Sequence, residues 1–154
     1  MDNVNSFLAD WSIRFLENKD AIKREIINIE KGKDGFDSII SYKDKIKCFI
    51  IVPTLEINIF DKVKNEGYYG IFTLNNPINI RFAVSNWKRL ADFKFLNIYF
   101  VNPFSSSDKV WAICPYIHDR ICDKSSLELG LKSMAEMVEI IGLEELSNKI
   151  KSLK

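Results

Sequence analysis

At 154 residues and 47% hydrophobic, the chain is expected to be one domain able to bury a core. Twenty-two basic and 21 acidic residues leave a net charge of +1, which excludes a global electrostatic pull toward nucleic acid or an anionic membrane. No apolar run approaches the ~20 residues of a membrane helix; MDNVNSFLAD lacks the character of a signal peptide, and three cysteines give no disulfide framework, so a cytoplasmic, reduced protein is expected.

The first thirty residues read as helical, with Leu8, Trp11, Phe15, Ile22, Ile26 and Ile29 at three-, four- and seven-residue steps. Asn18-Lys19-Asp20 could divide them, with Asp20 as a second N-cap. After the turn Lys31–Gly35, Phe36 to Tyr42 reads as a strand, with Phe36, Ile40 and Tyr42 on one face. The short polar Lys43-Asp44-Lys45 implies an antiparallel partner from Ile46 to Val52. That strand is apolar on both faces, as a central strand is, and Pro53 should stop it.

Leu55 to Glu66 reads as a short helix and Tyr68 to Leu74 as a strand. Asn76 is a good N-cap with Pro77 at the first helical position. Ile80, Val84, Trp87 and Ala91 mark the inner stripe of that helix, and Leu96 to Val101 is the next strand. Strand, helix, strand with short links predicts a parallel crossover. After the loop Asn102–Asp108, Val110 to Cys114 should be a hairpin partner. Ser125-Ser126-Leu127-Glu128 fits a capping box for a helix carrying Leu127, Leu131, Met134, Val138 and Ile141. Leu143 to Lys154 completes the chain as a frayed helical tail. The order αββ(α)βαββα predicts an α/β fold: a single mixed sheet with helices on both faces.

From Asn5 to Cys114 this order resembles the PD-(D/E)XK nuclease-like fold: a leading helix, a three-strand meander, a crossover helix and a further strand. Asp37 stands where that family's first carboxylate would be. The positions that align with its glutamate and lysine hold Ile51 and Pro53. The resemblance therefore implies the scaffold without its metal-dependent hydrolysis, in which two carboxylates hold a divalent ion that activates water. Glu25 or Glu30 could supply a leading-helix carboxylate, and Glu56 and Lys47 are candidate migrated replacements. The plainer role for Asp37 is to cap the Gly35 turn.

Cys114, His118 and Cys122 fall at four-residue spacing beside Asp119 and Asp123, and Cys48 could be a distant fourth zinc ligand. The paired C-x-x-C knuckles of structural zinc sites are absent, and buried small cysteines with a structural histidine are the plainer reading. Cysteine, histidine and aspartate also sketch a nucleophilic triad, but neither cysteine opens a helix beside a glycine-rich turn. Arg81, Lys88, Arg89 and Lys94 make the crossover helix and its exit basic, either a phosphate-binding face or a solvated one. No phosphate-binding G-x-x-x-x-G-K-[ST] or dinucleotide-binding G-x-G-x-x-G occurs. Phe104, Trp111 and Tyr116 cluster around the last hairpin as core, base-stacking platform or contact surface.

The leading expectation is a non-catalytic binding or assembly module without a cofactor, recognising a protein partner or a second copy of itself through the aromatic hairpin or the C-terminal helix. The alternatives are a metal-dependent nuclease rearranged around Asp37, Glu56 and Glu25, with a divalent ion, and an adaptor or chaperone-like α/β domain with a large exposed apolar patch.

Overall fold

The computed structural model of the protein describes residues 2–153. Helix α1 (Asp2–Lys19) is followed by strands β1 (Ile26–Lys33), β2 (Phe36–Tyr42) and β3 (Ile46–Ile51). A 3₁₀ turn (Ile57–Asp61) leads to β4 (Tyr68–Leu74), then α2 (Pro77–Ser85), α3 (Trp87–Ala91) and β5 (Phe95–Val101). Strand β6 (Val110–Ile113), α4 (Pro115–Ile121), a 3₁₀ turn (Lys124–Ser126), α5 (Leu127–Ala135) and α6 (Leu143–Lys151) complete the chain.

All six strands form one sheet whose spatial order is the chain order, β1 to β6. The pairs β1–β2, β2–β3 and β5–β6 are antiparallel, and β3–β4 and β4–β5 are parallel. The fold is α/β with a mixed sheet, as the pattern predicts. On one face, Phe49, Ile51, Phe72, Leu74, Tyr99 and Val101 pack with Val4, Leu8 and Leu16 of α1 and Leu146 and Ile150 of α6. On the other, Ile50, Tyr69, Ile71, Ile98 and Phe100 pack with residues of α2, α3 and α5. Both sheet faces are thus buried, which is why β3, β4 and β5 are apolar on both sides.

The sequence reading departs from the fold at several points. Residues 26–33 are a strand, not helix. Asp20 does not cap a second helix; its carboxylate accepts the backbone N–H groups of Glu25 and Ile26 at 2.9 and 3.0 Å. Arg24 supplies the left-handed residue (φ 50°) of the turn into β1. Ile22, placed on the buried stripe, is 95% exposed. The extra strand also moves the antiparallel meander to β1–β2–β3, because β4 runs parallel to β3. Phe36 leaves the Ile40 and Tyr42 layer and packs with the opposite cluster, against Tyr69.

Leu55 to Glu66 holds only a 3₁₀ turn, and the crossover helix divides at Asn86, whose amide bonds the carbonyl of Phe82. The capping box does not form: Asp123 caps the 3₁₀ turn, and the Ser126 side chain makes no cap bond. Helix α5 ends at Ala135, so Val138 and Ile141 are buried from a loop. The tail is docked, with Leu146 and Ile150 buried in the α1 layer.

Candidate functional site

The residues proposed for metal chemistry stand apart. Asp37 is exposed, and its Oδ2 accepts the Ile51 N–H at 2.7 Å. The β2–β3 ladder begins at Ser38 opposite Phe49, so the carboxylate supplies a rung beyond the last backbone pair. This replaces the expected role of capping the Gly35 turn. Glu25 lies at the other end of β2, its carbonyl accepting the Lys43 N–H at 2.9 Å. Six strand steps at ~3.3 Å separate the two levels by roughly 20 Å, far beyond a shared ion. Glu30 sits on β1, paired with Lys33 at 2.8 Å. Glu56 is exposed at the entry to the first 3₁₀ turn. Among the described residues, no three His, Cys, Asp or Glu side chains converge as a metal site would require.

Helix α4 does carry Cys114, His118 and Cys122 along its length, with Cys114 as N-cap and Pro115 at the first position. Cys122 Sγ lies 3.7 Å from His118 Nδ1, whereas the Cys114 thiol donates to the carbonyl of Lys94 at 3.8 Å. His118 sets its ring edge-on to Trp87, whose indole N–H donates to Asp119 at 3.0 Å. These contacts tie α4 to α3.

The basic residues of the crossover do not share one surface. Arg81 lines a cavity of about 340 Å³ between α2 and α5 together with Glu128, Lys132 and Glu136. Lys88 and Arg89 border a separate depression with Asp119, and the Arg89 guanidinium lies 3.9 Å from the centre of the Phe60 ring. Lys94 lies over Phe95. Nor are the hairpin aromatics free platforms. Trp111 is buried and stacked on Phe100, Phe104 is stacked on Phe7, and Tyr116 is covered by Arg120.

Two arrangements were not foreseen. The first closes the carboxyl ends of the parallel strands, where open α/β sheets commonly hold ligands. Asn75 donates to the carbonyls of Ala135 and Val138, both at 2.9 Å, and accepts the Trp111 indole N–H at 2.8 Å. Asn76 caps α2 through the Asn79 N–H and donates to the carbonyl of Ile141. Asn79 accepts the Leu55 N–H and donates to the carbonyls of Pro53 and Leu74. Asn102 donates to the carbonyl of Glu139 and accepts the Phe104 N–H. Four buried amides thus satisfy irregular backbone on both sides, and the chain's own loops fill the position. The sequence signal was Asn-Asn-Pro and Asn-Pro placed directly after apolar strands.

The second lies on the α1 face, along β5 and β6 from Tyr99 to Lys109 beyond the carboxyl end of β5. A groove of about 760 Å³ runs between α1 and the β5–β6 hairpin. Trp11, Phe15 and Tyr99 are its aromatic lining, and Arg14, Lys19 and Lys109 its cations, with Asp108 as an acidic neighbour. Lys47 approaches from β3. It is 8% exposed, and its ammonium lies 5.5 Å from the Phe49 ring centre and 5.7 Å from that of Tyr99. Gly70 makes room for the Phe49 ring beside it: a Cβ there would stand 2.4 Å from that ring, and in ordinary contact with Lys47 Cε at 3.4 Å. Among the described residues no carboxylate pairs with Lys47. Burial pushes its pKa down to about 8, with Lys45 and Lys19 adding to the effect and the Cys114 thiol opposing it. Burial likewise raises the Tyr99 phenol.

No family model, curated protein or solved structure matches the chain.

Proposed function

We propose that the protein is a non-catalytic binding or assembly module on a scaffold of degenerate nuclease-like order. A leading helix, an antiparallel three-strand meander and a parallel fourth strand support the scaffold reading. The observation that carries the functional one is the use made of Asp37. The family-like carboxylate completes the β2–β3 ladder at Ile51 instead of facing a second carboxylate. The asparagine network supports it further by filling the carboxyl ends of the strands.

The test is incubation of the purified protein with single-stranded and duplex DNA and RNA in Mg²⁺ or Mn²⁺. The expected result is no cleavage above that of Asp37→Ala. Cleavage that Asp37→Ala abolishes would overturn the proposal.

Assembly has its own support at the sheet edge. Strand β1 is eight residues long, its outer side has no partner strand among the described residues, and Ile27 on it is 68% exposed. Self-association would be seen as a concentration-dependent mass in sedimentation equilibrium, lost in Ile27→Lys. A monomer at all concentrations would remove this second reading.

A further inference from the structure

A lysine buried in an apolar layer without a carboxylate is a costly arrangement, because desolvation of the ammonium is not offset by a partner charge. Lys47 is in that position: nine-tenths buried and beside two aromatic rings. The sheet is shaped to hold it there. Lys47, Tyr68 and Phe95 form one cross-strand row, and Phe49, Gly70 and Asn97 the next. The missing side chain at Gly70 makes room for the Phe49 ring, beside which Lys47 extends toward Tyr99, a residue lining the groove.

The groove supplies two chemistries together. Arg14, Lys19 and Lys109 outnumber Asp108, so an anion is favoured. Trp11 and Phe15, both partly exposed, offer apolar ring surface to a planar group, with the buried Tyr99 beneath. A bare inorganic anion would leave most of about 760 Å³ unfilled. That volume lies within the ~300–1,000 Å³ typical of sites for small organic ligands.

We propose that this groove binds a small phosphorylated ligand with a planar aromatic body, of the nucleoside monophosphate class. Its phosphate meets Lys47 together with Lys19 and Arg14 at the end of the groove away from Lys109, and its ring lies against Trp11 and Phe15 above Tyr99. The proposal rests on the binding-module reading and names its ligand class. The phosphate gives the buried ammonium the countercharge the fold withholds.

Isothermal titration calorimetry with each of the four ribonucleoside monophosphates tests it. At least one should bind, with the matching unphosphorylated nucleoside and inorganic phosphate each at least tenfold weaker. Lys47→Met should weaken binding at least tenfold, and the exposed Arg14→Ala, which leaves the core intact, severalfold. Lys88→Met, on the opposite helical layer, should bind as the parent does. No binding by any monophosphate overturns the proposal. So does binding that Lys47→Met and Arg14→Ala leave unchanged, or binding of a ten-nucleotide single strand alone. Phosphorus NMR of the same samples with Mg²⁺ separates the two readings. Release of inorganic phosphate would overturn the non-catalytic reading, whereas absent binding without release would overturn only the ligand assignment.

Discussion

Asp37 shows how a residue type can suggest one chemistry and its contacts another. Its carboxylate holds a buried backbone N–H, so Asp37→Ala should lower stability by about 1–2 kcal/mol in urea unfolding, by leaving the Ile51 N–H without a partner. Ser12 and Ser38 present the converse case, since both hydroxyls are buried without a hydrogen-bond partner among the described residues. Ser38→Ala should therefore be neutral or stabilising by up to about 1 kcal/mol in the same assay. Lys47 gives a pH signature. Its pKa is about 8 in the folded protein against an ordinary 10.5, so between those values the unfolded chain binds the extra proton. Stability should then rise with pH from about 8 toward 10, by roughly 2 kcal/mol. The half-buried Tyr42 phenol, raised from 10.0 to about 12, acts oppositely: the folded state keeps its proton longer, and stability falls above pH 10. Thermal melts across this range should show a maximum near pH 10, and Lys47→Met should abolish the rise while keeping the fall.

At the scale of elements, the asparagine network is what fixes irregular segments to the sheet. Asn79→Ala would remove three side-chain bonds, to Leu55, Pro53 and Leu74, with only the Pro53 carbonyl keeping a side-chain partner in Thr73, and should destabilise by about 2–4 kcal/mol in urea unfolding. Gly70→Ala should cost a similar amount, because its Cβ would overlap the buried Phe49 ring. The α2 start was legible because Asn76-Pro77 carries its own local chemistry, and the central strands because burial on both faces leaves continuous apolar runs. Strand β1 was not legible. Ile22, Ile26 and Ile29 happen to keep helical spacing, and an edge strand has too little burial to impose a clean two-residue alternation. The Val138 to Ile141 segment was misread for a related reason: its apolar residues are buried by asparagine side chains bonding its carbonyls, with no helix to space them.

For the whole molecule, the strand ends and the α1 face of the sheet differ. The carboxyl ends of the parallel strands are closed by side-chain amides, while the α1 face beside β5 and β6 carries cations, aromatic rings and an open groove. Sequence reasoning named every residue of the carboxylate set but could not place them, because their separation depends on β1 and on strand register. It passed over the groove because Arg14, Lys19, Lys47 and Tyr99 come from three distant elements, with no local motif joining them. The most direct test of the central claim, that the chain binds rather than cuts, is a Mn²⁺ titration followed by paramagnetic broadening of backbone amide signals. The account predicts no selective broadening around Asp37, Glu56 or Glu25. Saturable broadening confined to the amides around Asp37 and a second of these carboxylates would contradict it.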